Sequence, residues 1–300
     1  MKNNKNVALI GVGRWGKNLL REFSKIASVD YCYYQGNQKT SDWLASNYPN
    51  IKRVDSYDDI LKNPVIDAVV IATPIRTHFE LAKLALGAGK NVFVEKPISE
   101  TPEQAQELID LADKKKLMLF VGYTFIYHPI FQKIKDIISE EGAEYIKMQW
   151  EKFGHFGENI ELNLLCHEFS IIYSLLGRPL KITELKRRKI ISEADIISIQ
   201  AKYPKTTVDI DINRASLIKR KTLYLVTEKN TYLWETSTLF KLDQGSKEFV
   251  KIFESADTPL ELECMEFIKC LSESKKPKTD GEFGLEINNL LTKMVKLKTF

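Results

Sequence analysis

At 300 residues the chain is long enough for two domains and short for three, and a soluble chain of that size buries about 75 % of the surface its unfolded form exposes. Apolar residues make up 44 % and charged residues 28 %, which excludes long disorder, collagen-like repeats and a coiled-coil rod. Lys plus Arg exceed Asp plus Glu by only 44 to 40, a formal charge of +4, short of the clustered excess a nucleic-acid binder carries but compatible with an anionic small molecule.

Residues 7–12 are an unbroken apolar run, as expected for a central parallel strand buried on both faces. Glycines follow at once, then a helix over 18–26 with Leu19, Leu20, Phe23 and Ile26 at helical spacing. A second strand is expected at 29–34, a helix at 43–48 stopped by Pro49, and a third buried strand at 67–72 ending on Thr73-Pro74. A helix over 78–86 closes at Gly87-Ala88-Gly89, and a strand at 92–94, a helix at 102–115 and a strand at 117–121 complete the alternation. Such a rhythm is that of a doubly wound parallel α/β sheet.

Near Gly122 the pattern changes. Helix 129–140, strand 145–153 and an amphipathic helix over 163–176, ended by Gly177 and Pro179, lead into strand after strand from 182 to 253. Two helices follow, from about 259 and 284. The expected architecture is a Rossmann domain over residues 1–122 and an α+β domain with an open antiparallel sheet over 123–300. The first residues hold no apolar signal segment and no run approaches membrane-spanning length, so the expectation is a cytoplasmic protein that meets no membrane. Cys32, Cys166, Cys264 and Cys270 form no CxxC pair and read as small buried hydrophobes, and no residues group as metal ligands.

Gly11-Val12-Gly13-Arg14-Trp15-Gly16 is a GxGxxG placed directly after the first buried strand and opening a helix, the context a dinucleotide site needs. Gly11 makes the tight turn, Gly13 lets the backbone approach a pyrophosphate, and Gly16 permits close helix–strand packing. The free N–H groups and positive dipole of the helix N-terminus then face the anion, beside Arg14 and Trp15. At the end of the second strand, where an acid would hold the ribose of NAD, stands Gln35, with Lys39 the nearest cation. Gln35 bonds ribose hydroxyls without repelling a 2′-phosphate, so NAD is expected and NADP not excluded.

Taking a hydride from a secondary alcohol requires a base within reach of the hydroxyl and a donor for the developing charge. Lys96, at the carboxyl end of a parallel strand where open α/β sheets bind ligands, suits one role. His167, which titrates near neutral pH, suits the other; Asn163, His167 and Ser170 fall at i, i+4 and i+7 on one helix face.

Four stretches together resemble the Gfo/Idh/MocA oxidoreductases: Gly11 to Asn18, Ala72-Thr73-Pro74 with Thr77-His78, Glu95-Lys96-Pro97, and the helix over 163–177. The resemblance implies a Rossmann domain followed by an α+β domain, with Thr73, Pro74, His78 and Glu95 on the cofactor side. It sets Lys96 between the nicotinamide carboxamide and the reacting hydroxyl, with a cis bond to Pro97, and makes His167 the proton acceptor. Many members carry an aspartate at the position of Asn163 and an acid at that of Ser170, so an Asp–His relay is absent here. Trp15 to Asn18, Tyr127-His128-Pro129, Glu158-Asn159, Cys166-His167-Glu168 and residues 219–228 resemble the nucleotide-sugar branch, which includes the UDP-N-acetylglucosamine and UDP-N-acetylglucosaminuronate 3-dehydrogenases. These oxidise the sugar C3 hydroxyl ahead of transamination.

Tyr123, Tyr127 and His128 follow the domain boundary and are candidates to line the substrate cleft. The basic run Lys186-Arg187-Arg188-Lys189 reads as a solvated rim. Tyr224, Tyr232 and Trp234 alternate with polar residues and are expected to bury a sheet face against a second subunit, in a homodimer or homotetramer. The expected function is NAD-dependent oxidation of a nucleotide sugar at C3. The alternatives are an NADP-dependent ketoreductase of another sugar and a non-catalytic dinucleotide-binding regulator.

Overall fold

The computed structural model describes residues 5–36 and 38–296; the first four residues, on which part of the signal-free reading rests, lie outside them. The chain divides into two units, one formed by the residues up to Thr124 with Leu260–Asn289, the other by Phe125–Pro259 with the residues from Leu290 on.

The first unit holds β1 (Asn6–Ile10), α1 (Arg14–Ile26), β2 (Ser28–Tyr33), α2 (Gln38–Asn47), β3 (Lys52–Arg53), α3 (Tyr57–Lys62), β4 (Ala68–Ile71), α4 (His78–Gly87), β5 (Asn91–Glu95), α5 (Pro102–Lys115) and β6 (Leu119–Gly122). Its six strands lie in the order β3-β2-β1-β4-β5-β6 and every neighbouring pair is parallel. This is the doubly wound order, and it reverses between β1 and β4, so a crevice opens at the carboxyl ends of those two strands. Every residue of β4 and β6 is buried, which is why these segments read as unbroken apolar runs: helices cover both faces of a parallel sheet.

The second unit holds α6 (Pro129–Glu141), β7 (Tyr145–Phe153), α7 (Cys166–Leu176), β8 (Lys181–Arg188), β9 (Ile196–Lys202), β10 (Thr207–Asn213), β11 (Ala215–Val226), β12 (Thr231–Glu235), β13 (Thr238–Asp243) and β14 (Glu248–Glu254). Its eight strands run β14-β13-β12-β11-β7-β10-β9-β8. All pairs are antiparallel except β7 with β10. Alternate residues of the central strands, among them Ile146, Met148, Val208, Ile210, Leu223 and Leu225, are buried on one face. The expected aromatic face for a second subunit is corrected here. Tyr232 and Trp234 share the phase of β12 that points inward: the Tyr232 hydroxyl donates to Glu141 of α6 at 2.8 Å, and the Trp234 ring lies 4.8 Å from that of His128. Tyr224 is half-buried, its ring edge toward Phe249.

The last helices, α8 (Pro259–Glu273) and α9 (Gly281–Lys296), return to the first unit through most of their length. Phe267 of α8 meets Phe23, Phe93 and Phe120 edge-on, with ring centroids 5.7, 5.4 and 5.5 Å away, an arrangement the aromatic quadrupole favours. Asn288 of α9 donates to the carbonyl and hydroxyl of Ser99.

Candidate active site

At the end of β1 the backbone turns through Gly11, whose φ of +94° is open to glycine. Its N–H donates to Tyr33 at the end of β2, and Ala72 donates back to Ile10, so the turn is tied into both neighbouring strands. A Cβ on Gly11 would meet the Ala72 carbonyl oxygen at 2.6 Å, and one on Gly16 the Gly11 oxygen at 2.0 Å. Nothing stands within 4 Å of where a Cβ on Gly13 would be. Gly11 and Gly16 are therefore fixed by the protein's own packing, whereas Gly13 leaves open space on the outside of the turn. Helix α1 starts without a side-chain cap and without an acid of its own in the first turn, so its first N–H groups are left for a ligand. The arrangement fits a dinucleotide pyrophosphate.

The other cofactor-side candidates ring this turn at the carboxyl ends of β2, β4 and β5. Gln35 follows β2, exposed. At the preceding residue stands a cation that sequence reading missed: Arg53 of β3 is in register with Cys32, and its guanidinium lies 5.0 Å from the Tyr34 ring. After β4, Thr73 and Pro74 lead into α4, where His78 is 1 % exposed. One of its ring nitrogens faces the carbonyl oxygen of Pro97 at 2.9 Å and the other that of Thr73 at 2.8 Å. Burial lowers the pKa of this imidazole while the two carbonyl oxygens raise it; a ring with one N–H donates to one of them, and the imidazolium to both, so His78 sits at the junction of the β4 and β5 loops.

β5 ends on Glu95, followed by half-buried Lys96 and the cis bond to Pro97. The Glu95 carboxylate accepts from the indole N–H of Trp15 and from the Lys96 backbone N–H at 3.3 Å. It thereby clamps the first turn of α1 to the residue that carries the lysine. Burial pushes Glu95 up to about 7. Glu263 of α8, 0 % exposed, accepts from the Thr124 hydroxyl at 2.8 Å; burial and the Glu95 charge hold its carboxyl well above the usual range. The charge on either of these buried carboxyls disfavours ionisation of the other.

In the second unit His167 and Asn163 are both half-buried. The helix that carries them departs from the regular spacing assumed above: residues Glu161–Leu165 form a π turn before α7, which changes the phase between positions 163 and 167. Asn159 accepts from the Leu162 N–H at 3.0 Å, and Arg187 of β8 bridges Glu161 at 2.9 Å and Glu184. Arg187 is thus an anchor of the π turn rather than part of a solvated rim. Ser170 is buried and donates to the His167 carbonyl at 2.7 Å. The imidazole completes a triangle of rings with Phe125, 5.2 Å away and edge-on, and Trp150, 5.5 Å away, which are themselves 5.8 Å apart.

Tyr123, Tyr127 and His128 are 0, 5 and 7 % exposed. Tyr123 packs on Phe283 in the first unit. His128 caps α6, accepting from Ile130 N–H at 3.1 Å, and burial pushes it down to about 4. Each has a packing role in the unit that holds it. All four cysteines are free and buried. Among the described residues no helix is long and apolar enough to cross a membrane, and no three His, Cys, Asp or Glu side chains group to hold a metal.

Residues 5–123 match an oxidoreductase family with an NAD-binding Rossmann fold, Gfo/Idh/MocA. An uncharacterised relative, the oxidoreductase YdgJ of Escherichia coli K12, is 30 % identical over 206 residues, 61 % of this chain and 57 % of its own. The UDP-N-acetylglucosamine 3-dehydrogenase of Acidithiobacillus ferrooxidans is 29 % identical over 194 residues, 63 % of this chain and 60 % of its own. The chain thus spans little more than half the length of these curated relatives. The solved structure of the Acidithiobacillus enzyme superposes with a TM-score of 0.88 at 19 % identity, over 97 % of this chain and 96 % of that one, which establishes a shared fold. The Gfo/Idh/MocA match ends before His167, so the glycine turn, Thr73, His78, Glu95 and Lys96 lie inside it and the second unit's residues outside it.

Proposed function

We propose that this chain is a nicotinamide-dinucleotide-dependent dehydrogenase that oxidises the C3 hydroxyl of a nucleotide sugar of the UDP-N-acetylglucosamine type to the 3-keto sugar. The observation that carries the reading is Lys96 at the tip of β5, one residue from the carboxylate that holds Trp15 of the glycine turn. Likeness to the Acidithiobacillus 3-dehydrogenase supports the choice of substrate.

When bound, the dinucleotide supplies the hydride acceptor. The open face of Gly13 and the uncapped start of α1 hold its pyrophosphate, and Gln35 bonds its adenosine ribose. NAD is the proposed cofactor; the strand end carries no acid to reject NADP, and Arg53 is the cation that a 2′-phosphate would meet. Lys96 donates to the substrate oxygen as negative charge develops there, while His167 takes the hydroxyl proton, so that hydride and proton leave the same carbinol. Asn163 replaces a charged relay partner and leaves the imidazole to its other neighbours. Assembly as a homodimer or homotetramer through the second unit's sheet belongs to the same reading, supported by apolar side chains that this unit leaves exposed, among them Leu217, Phe249 and Ile252.

The test is NADH formation on mixing the protein with NAD and UDP-N-acetylglucosamine, with a ketone-trapping amine to draw the oxidation forward. Turnover that is lost in Lys96→Met is the expected result. Dinucleotide binding without turnover on this sugar or its uronate would remove the substrate assignment, and no dinucleotide binding would remove the enzyme class.

A further inference from the structure

Strand alternation makes Lys221 an anomaly. It shares its phase on β11 with Leu223 and Leu225, which are 2 and 0 % exposed, so it stands on the apolar face of the sheet. Its register partner across β7 is Trp150. The ammonium lies 3.6 Å from the Trp150 ring centroid and 4.2 Å from that of Phe125. These are the two rings on which the imidazole of His167 packs. A second anomaly answers the first: Glu168, the residue after His167, is 1 % exposed and its carboxylate is ion-paired with Lys221. Burial drives this carboxyl up and Lys221 draws it back down.

Stability does not account for such a pair. Taking two charges out of water costs about as much as their attraction returns, and apolar replacements of similar volume are often neutral or better. What the pair does have is position: its ammonium lies over the two rings on which the imidazole packs, and its carboxylate belongs to the residue next to His167. Of the charged groups on the elements packed here, Lys152 of β7 also lies over Trp150, at 5.2 Å. Glu151 and Arg220 are in register with each other one residue along the two strands.

We propose that Lys221 and Glu168 are positioning residues for His167, an ion pair of a half-buried ammonium and a buried carboxylate that backs the Phe125 and Trp150 rings on which the imidazole packs and sets the charge on that side of it. The proposal rests on His167 as the base of the reaction proposed above. The ammonium disfavours a second positive charge on the imidazole and the carboxylate favours one, so the two act against each other. Removing either one exposes the field of the other.

The two halves therefore predict shifts of opposite sign. In Lys221→Met an unbalanced carboxylate stabilises the imidazolium, and the midpoint of His167 rises by about 1 pH unit. In Glu168→Gln the unbalanced ammonium lowers it by a similar amount, and the double variant returns toward the parent. The experiment is a pH titration by NMR of the protein labelled at histidine, with the His167 signal identified by its loss in His167→Asn. The acid limb of kcat against pH is recorded on the same four proteins. Opposed shifts that cancel in the double variant support the proposal, and a merely structural role has no reason to produce them. Shifts of the same sign, no shift in either single variant, or a double variant that fails to cancel overturn it. A titration that behaves as stated while the kcat limb stays fixed supports the ion pair's action on the ring and removes His167 from the base role.

Discussion

At the scale of single residues, the cofactor turn separates two uses of glycine. Gly11 and Gly16 are required by backbone atoms of the protein itself, whereas a Cβ on Gly13 would meet nothing. The tight turn and the close packing were legible in the GxGxxG spacing; the pyrophosphate at Gly13 is part of the proposal above. The adenosine side was less legible. Arg53 lies 18 residues beyond Gln35 (53 − 35) in a two-residue exposed strand with no apolar pattern, so only the β2–β3 register brings it to Tyr34. Gln35→Asp introduces a carboxylate there, and the account predicts that the ratio of NADP to NAD use falls about tenfold or more by like-charge repulsion; an unchanged ratio in steady-state assays would place the ribose elsewhere. The Glu95–Glu263 pair makes a second prediction. Because Glu95 is raised in the folded protein to about 7, the stability its proton contributes is complete below about pH 4.5 and is lost as pH rises toward and through 7. Glu263→Gln removes the repelling partner, so calorimetric Tm falls less between pH 5 and 8 than in the parent, by about 2–4 °C for each kcal/mol removed. Parallel Tm curves for the two proteins contradict the coupling.

At the scale of elements, the long periodic segments were legible and the short or irregular ones were not. The alternation up to Gly122 announced the parallel sheet because strands buried on both faces must be apolar throughout. Helix α3 has only six residues, too few for periodicity; its signal was the capping box, in which Ser56 bonds Asp58 N–H and Asp59 reaches back to Ser56 N–H. The π turn before α7 has no compositional mark. It is held by partners distant in sequence, and the loop ahead of it is held by Arg214, whose guanidinium donates to the carbonyls of His155 and Glu158 at 2.8 and 2.6 Å. Arg214 is itself paired with Asp195 at 3.1 Å, both almost fully buried, and Asp195 also accepts three successive backbone N–H groups from Ile190 to Ser192. Asp195→Ala strands a buried guanidinium, and denaturant unfolding is expected to show a loss of about 3–5 kcal/mol. A loss below about 1 kcal/mol would mean that the loop is anchored by other contacts. The same register logic exposes Lys221, whose phase with Leu223 and Leu225 was visible in the sequence although its partner Glu168 was not.

At the scale of the whole molecule, each unit carries chemistry that the other lacks. The first holds the glycine turn and Lys96 inside the segment that matches Gfo/Idh/MocA proteins; the second holds His167, the two rings it packs on and the Lys221–Glu168 ion pair. Chain order does not map onto this division, since residues 260–289 pack with the first unit through Phe267 and Asn288. Their placement was not legible in order alone, because it depends on aromatic contacts with Phe23, Phe93 and Phe120 that are far off in sequence. The central claim is that these residues compose a sugar dehydrogenase, and one measurement tests it most directly: absorbance at the NADH maximum on adding UDP-N-acetylglucosamine to protein and NAD, beside Lys96→Met. The account predicts steady NADH formation by the parent and a loss of about 10²–10⁴-fold in the variant, with dinucleotide binding retained. NADH formation at equal rates in both proteins would contradict it.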